Sequence, residues 1–483
     1  MTTWFNIENA MTHLSHPTRR ALLKHGTALA FARTASPVAA SLAAMANAAA
    51  QSATDYKALV CIFMFGANDH YNTVLPYDLT NYNAYYAIRK GSVITGPYEG
   101  IALTRSSLAA TVLSTSLSGG RQMALNPQMS GMKTLFDARR AGIVMNVGPL
   151  IVPTTRTQYD NKSVPLPPKL FSHNDQQAYW QSSFQTEGSP SGWGGRAADL
   201  MLSGNSGSAL TCISVNGNAL YLSGQQAISY QMSATGATTV NAIQAKSLFG
   251  SSTCATALQT LMTQSGTHLL ANAQTQIVQR ALRTYDSVAN AIGASASAAF
   301  NNLFPTSGTN TLSAQLKMVA RLIEKQAALG IRRQVFMVGL GGFDLHDNLP
   351  NLHPSLLQKL SDAALEFDNA MQYLGTSTQV SSFTASDFGR TLSSNGDGSD
   401  HGWGSHHFVM GGAVQGGQYF GLAPEIGINH NAQVGSGRLL PSTSTDQMAA
   451  ELARWFGVSI SDMPAVLPNA KNFDLYKLGL FKV

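Results

Sequence analysis

Charge is scarce in this chain of 483 residues. Asp, Glu, Lys and Arg make up 12% of it, about half of the roughly 25% usual in globular proteins, so acids gathered in one place call for a reason. Cysteine is scarce too, with three in all, which excludes a disulfide framework. Cys61 stands in an apolar run, whereas Cys212 and Cys254 are free to pair in an oxidising compartment. No apolar run reaches about 18 residues, because the alanine-rich stretch ending near Ala50 is broken by Arg33, Thr34, Ser36 and Pro37. A permanent membrane span is therefore not expected. No run of Lys or Arg accompanies an aromatic platform, so the electrostatic footprint of a nucleic-acid binder is missing.

What is present begins with an address. Arg19-Arg20 precedes the alanine-rich stretch, and Ala46-Asn47-Ala48 suits a signal peptidase, so residues 1–50 read as a cleaved twin-arginine signal. The implied partner is the twin-arginine export machinery, and the implied location is periplasmic or secreted. That route carries proteins already folded, often with a cofactor in place. Four of the 31 Lys/Arg and one of the 25 acids lie in the leader, leaving 27 against 24, a net charge of +3.

The remaining residues, 51–483, read as one domain. Ala58 to Phe65 is a continuous apolar run, as expected for a strand buried on both faces of a parallel sheet. Gly142 to Val147 repeats the pattern after a helical face from Met129 to Arg140. Thr311 to Leu329, closed by Gly330, is a helical face that feeds the strand Gln334 to Leu340. The face from Leu356 to Leu374 ends at Gly375, before a strand from Val380 to Ala385. Helix and strand in alternation predict an α/β fold, a doubly wound, mostly parallel sheet with helices on both faces. The Ser/Thr/Asn/Gln-rich stretch of about 201–310 is expected as an inserted cap. Its uncharged polarity suits a neutral substrate such as a carbohydrate, or an ordinary exported surface.

Candidate ligands follow the strands. Asp69, Asp344 and Asp387 each come shortly after a predicted strand, and in an open parallel sheet the carboxyl ends share one edge, where ligands bind. Nine histidines lie beyond residue 50 (twelve less His13, His16 and His25), and six are near these acids: His70, His173, His346, His401, His406 and His407. Mixed carboxylate and imidazole shells point to zinc or manganese, with calcium as the alternative if oxygen ligands dominate. Each acid also has an ordinary reading as a cap or turn residue. Vicinal His406 and His407 on an extended segment point to opposite faces, so at most one faces a metal. Ser172, with Asp175 three residues on, is a helix-start signature; its hydroxyl is either a plain cap or a nucleophile beside the positive helix end.

Six motifs carry a family resemblance over the whole chain beyond residue 50. They are Phe65-Gly-Ala-Asn-Asp-His-Tyr-Asn-Thr73, Phe171-Ser-His-Asn-Asp-Gln-Gln177, Gly192-Trp-Gly-Gly-Arg196, Gly341-Gly-Phe-Asp-Leu-His346, Ser386-Asp-Phe-Gly-Arg390, and the stretch from Asp400 to Gly412. The chain resembles an uncharacterised bacterial family of exported proteins known as domain of unknown function 1501, itself similar to the alkaline phosphatase and sulfatase superfamily. The resemblance implies that Asp69 and Asp387 with Ser172 form one half-site, and Asp344, His346 and either His401 or His406 the other. Arg390, near the same edge, is placed to bind a phosphate or sulfate oxygen in a bidentate way, a surface salt bridge being the equal alternative. Two departures stand out: one residue, not three, separates Asp344 from His346, and Phe388 stands where the superfamily commonly has His. The function expected is therefore a metal-dependent hydrolase of a phosphate or sulfate ester, on a small molecule or a polymer. The rivals are a non-catalytic exported binding or structural protein on the same scaffold, with one metal or none, and a metal-binding assembly factor.

Overall fold

Side chains along Lys57–Met64 alternate between two cores. Ala58, Val60, Ile62 and Met64 join one apolar cluster, whereas Leu59, Cys61 and Phe63 join another, the period-2 consequence of a strand covered on both faces. The computed structural model describes residues 55–184, 188–293 and 296–482. The expected twin-arginine signal, residues 1–50, lies outside the described residues.

The central sheet has ten strands: β1 (Lys57–Met64), β2 (Ala141–Gly148), β3 (Cys212–Ser214), β4 (Tyr230–Ser233), β5 (Gly236–Ala237), β6 (Arg333–Leu340), β7 (Val380–Ser386), β8 (Ser405–Met410), β9 (Tyr419–Phe420) and β10 (Thr443–Ser444). Their order is β5-β4-β3-β6-β1-β7-β8-β2-β9, with β10 also on β2. Strands β5 and β8 pair antiparallel with their neighbours, and the other pairings are parallel. The sheet is thus mixed and mostly parallel.

Helices cover both cores. The first cluster holds Leu135 of α1 (Ser130–Asp137), Leu316 and Ile323 of α6 (Thr311–Glu324), and Leu360 and Phe367 of α7 (Leu349–Tyr373). The second holds Trp180 of α2 (His173–Ser182), Trp193 of α3 (Trp193–Asp199) and Phe456 of α8 (Thr445–Phe456). Burying each such side chain contributes about 1.5–3 kcal/mol. Helix α6 starts where Asn310 accepts from the amides of Leu312 and Ser313, and α8 starts in a capping box of Ser444 and Gln447.

The structure adds to one expectation and decides one alternative that the sequence left open. The stretch 201–310 does not lie wholly outside the sheet: β3 pairs with β6, and β4 continues the sheet beside β3. Helices α4 (Ser252–Thr263) and α5 (Leu269–Ile292) then follow, with Val288 and Ile292 of α5 in the first core. The pairing of Cys212 with Cys254 is not made. Cys212 is buried in β3 and Cys254 is exposed on α4, both as free thiols. Among the described residues, no helix is long and apolar enough to cross a membrane.

Candidate metal centre

Three strands end abreast, because Met64 of β1 is in register with both Leu340 of β6 and Ser386 of β7. Asp387 is the next residue after β7, and Asp344 lies four beyond β6. Strand β8 runs the other way and begins at Ser405, opposite Val147 near the end of β2. His401, four residues before it, therefore enters at the same edge. Helix α2 brings its first residue, His173, over this edge.

Three imidazoles meet here. His401 Nε2 lies 3.1 Å from His173 Nε2 and 2.9 Å from His346 Nε2. Asp344 completes the group, with Oδ2 3.3 Å from His173 Nε2, and Oδ1 3.1 Å from His346 Nε2 and 3.5 Å from His401 Nε2. Bonds of about 2.1 Å to one cation would give edges of about 3.0 Å in an octahedral shell or about 3.4 Å in a tetrahedral one. The observed spacings run from 2.9 to 3.5 Å, around that range, and ligand atoms of His173, Asp344 and His401 all lie within 4.8 Å of one another.

The other ring nitrogens settle the tautomers. Nδ1 of His173 faces Asp387 Oδ2 at 2.5 Å, Nδ1 of His346 faces Asp400 Oδ1 at 3.2 Å, and Nδ1 of His401 faces the Phe171 carbonyl at 2.7 Å. Carboxylates and carbonyls only accept, so each Nδ1 carries a proton, and a ring in its neutral form turns a bare Nε2 lone pair inward. Lone pairs at 2.9–3.1 Å repel. An extra proton on His173 relieves its contact with His401, and one on His346 finds Asp344 Oδ1 at 3.1 Å; a cation beside His173, His401 and Asp344 relieves the crowding in the other way.

The surroundings bias the protonation of these groups in different directions. The Asp387 hydrogen bond raises the pKa of His173 against the effect of burial. Burial lowers that of His401, with the Phe171 carbonyl opposing. Burial pushes Asp344 up, but the hydrogen bond and charge of Arg390 outweigh it and keep the carboxyl below its usual range. Asp387 is fully buried and also accepts from Gln177 Nε2 at 2.9 Å and the Gly66 amide at 3.2 Å. Its Oδ1 has no hydrogen-bond partner, an orphaned carboxylate oxygen that suits a nearby cation.

The structure places the remaining sequence candidates elsewhere. Asp69 is buried in an ion pair with Arg89, accepts from Ser399 Oγ at 3.0 Å and caps the turn at Asn72. It makes no contact with the imidazoles. Ser399 in turn takes a hydrogen bond from Arg390, whose other nitrogen holds Asp344 Oδ1 at 2.6 Å. Asp69 thus steadies Asp344 at second hand, because its negative charge was needed to neutralise Arg89 in the interior. His406 is also apart: it is buried within β8, accepts from the Asn146 amide at 3.0 Å, and is pushed down to about 3 by burial. His407 packs against Trp180, so neither vicinal histidine reaches the cluster. Arg390 is fully buried and committed to Asp344 and Ser399, not held out at the surface. Ser172 precedes α2 as expected, yet its hydroxyl donates to Asp175 Oδ2 at 2.5 Å and caps no helix amide.

Sequence reasoning missed His173 as a ligand, with Asp387, Asp400 and the Phe171 carbonyl as the acceptors behind the rings. Ser172 drew the attention as a helix start, and the residue one position on carried the lone pair. A family model described as "Protein of unknown function (DUF1501)" matches residues 56–459. No curated protein matches the sequence. Among solved structures, the chain is similar to the PsFucS1 sulfatase from Pseudoalteromonas sp., at 9% identity and a TM-score of 0.36 over 91% of this chain and 75% of that one. It is also similar to Ps i-CgsB in complex with k-i-k-neocarrahexaose, at 9% identity and a TM-score of 0.34 over 86% of this chain and 77% of that one.

Proposed function

The chain belongs to the DUF1501 family, and from that premise we propose that it is an exported metal-dependent hydrolase of a phosphate or sulfate ester. One observation carries the reading: ligand atoms of His173, His401 and Asp344 lie within 4.8 Å of one another, with His346 Nε2 beside His401 and Asp344 and each Nδ1 bonded to an acceptor. His173, His401 and Asp344 would hold the ion with His346 at their side, and imidazoles with one carboxylate suit zinc or manganese. A divalent cation there supplies Lewis acidity toward an ester oxygen and a water of lowered pKa. The chain's own residues do the rest. Asp387 and Asp400 orient the rings and raise their basicity, Arg390 keeps Asp344 ionised, and the exposed Asp344 and His346 leave the outer side open to a substrate. The twin-arginine leader supports delivery of this site, already folded, to the periplasm or beyond.

A second reading has its own observation. Arg390 is buried and committed to Asp344, so the side chain expected to bind an anionic ester oxygen does not do so. On that reading the ion is structural and the protein binds a partner or polymer without turning it over.

Metal analysis of the purified protein by inductively coupled plasma mass spectrometry, with a panel of chromogenic phosphate and sulfate esters, separates the two. The hydrolase reading expects about one equivalent of metal and turnover that Asp344→Asn abolishes together with the metal. Metal without turnover of any ester supports the structural reading. Less than half an equivalent of any divalent metal would discard both.

A further inference from the structure

We propose that the protein has a second site, which binds a single-chain amphiphile with an anionic head group, at the edge of the sheet opposite the imidazole cluster. A cavity of about 680 Å³ opens there, within the 300–1,000 Å³ range of small-molecule sites. Its apolar floor includes Leu210 and Ile331, each two residues before the start of a strand, β3 and β6 respectively. The imidazole cluster sits beyond the carboxyl ends of β6 and β7, so the two sites do not share a wall.

One wall is helix α5, which turns Arg280 and Arg283 toward the cavity from a single face, three residues apart. No Asp or Glu lines the cavity. Among the described residues, neither guanidinium has an ion-pair or hydrogen-bond partner. Two adjacent cations without a counter-ion repel each other, and a carboxylate or phosphate between them would take several charge-assisted hydrogen bonds at once. The Ser208 hydroxyl stands in the same lining, while that of Ser287 donates to the Arg283 carbonyl at 2.8 Å. Leu210, Leu329 and Ile331 offer the complement to an alkyl chain, whose removal from water is worth about 0.8 kcal/mol per buried CH₂. A purely polar anion would leave that floor wet, and an uncharged lipid would leave the arginines unanswered. The ligand class that uses both halves is a fatty-acid-like monoanion.

Isothermal titration of the full chain with dodecanoate tests this directly, with dodecanol and acetate as controls. Saturable one-to-one binding of dodecanoate is expected, at least tenfold tighter than either control. The paired substitution Arg280→Ala with Arg283→Ala should weaken it at least tenfold, while Arg280→Lys with Arg283→Lys retains an intermediate affinity. Ser287→Trp, which fills the cavity from the solvent side of α5, should block binding in a variant whose thermal unfolding is unchanged. Asp344→Asn should bind dodecanoate as the parent does, so loss of the metal reading leaves this one standing. Absence of saturation, equal affinity for dodecanol, equal affinity for acetate, or unaltered binding by the double alanine variant would each overturn the proposal. So would sedimentation showing that a second copy of the chain closes the cavity.

Discussion

Asp446 stands fully buried in the first turn of α8, where its carboxylate accepts from Ser183 Oγ. Burial pushes its pKa from 3.8 up to about 7, against the hydrogen bonds of Ser183 and Thr445 and the charge of Arg196. A folded-state pKa above the unfolded value means that the folded protein holds a proton the unfolded chain has released. The stability this contributes is complete below about 3.8 and is lost as pH rises through about 7. Asp446→Asn removes the titration and keeps an acceptor for Ser183. Urea unfolding at pH 5 and pH 8 should therefore show a smaller drop in midpoint for the variant than for the parent; an equal drop would refute the assignment. Other single residues show where chemistry was readable and where it was hidden. Asp344, His346 and His401 could be found because acids and imidazoles are rare in this chain and cluster after strands. Asp69 satisfied the same rule and failed it in space, since nothing in the local sequence announces that Arg89, twenty residues on, takes the carboxylate into a buried pair. His173 hid for the opposite reason: its partners, Asp387 at 214 residues' separation and His401 at 228, exist only in the fold.

At the scale of elements, the carboxyl ends of β1, β6 and β7 do the assembling, and Gly66 is where they touch. Its φ is +106°, and a Cβ there would lie 2.5 Å from the Asp344 amide nitrogen. Its own amide donates to Asp387 Oδ2. Only glycine tolerates both the left-handed backbone and the close approach. Gly66→Ala should move the Asp344 loop, lower metal content below half that of the parent, and cost on the order of 1–3 kcal/mol of stability. Parallel metal analysis and urea unfolding check this, and a variant with full metal content would show that the loop has slack. These strands were readable within a residue or two, because a run such as Ala58 to Phe65 has no other way to bury every side chain than in a sheet covered on both faces. The helices α6 and α7 were readable from their apolar faces, although α7 begins at Leu349, ahead of the first apolar repeat at Leu356. The stretch from 201 to 310 was not readable as part of the sheet. Strand β3 has three residues and β5 two, too few for alternation to show, and their place is set by pairing, β3 with β6 and β5 with β4, rather than by any pattern of their own.

For the whole molecule, the cluster ties together segments far apart in the chain: α2 through His173, the loop after β6 through Asp344 and His346, and the strand leading into β8 through His401. A cation bound there would close loops of 228 residues between His173 and His401 and of 55 between His346 and His401. Any ion that binds the folded form and not the unfolded chain stabilises it by RT ln(1 + [M]/Kd), about 2.7 kcal/mol at a hundredfold excess over Kd. In a protein larger than 250 residues, each kcal/mol moves Tm by no more than about 2–4 °C, so the expected gain is on the order of 5 °C. Differential scanning calorimetry of the metal-loaded protein, and of the same protein after EDTA treatment and dialysis, should show that loss. Adding zinc or manganese back should restore it. Asp344→Asn, metal-free from the start, should unfold near the chelated parent and not respond to added ion. Equal Tm values for the loaded and chelated parent would mean that the imidazoles are held in place by the scaffold alone, and that the ion, if present, contributes nothing to the fold.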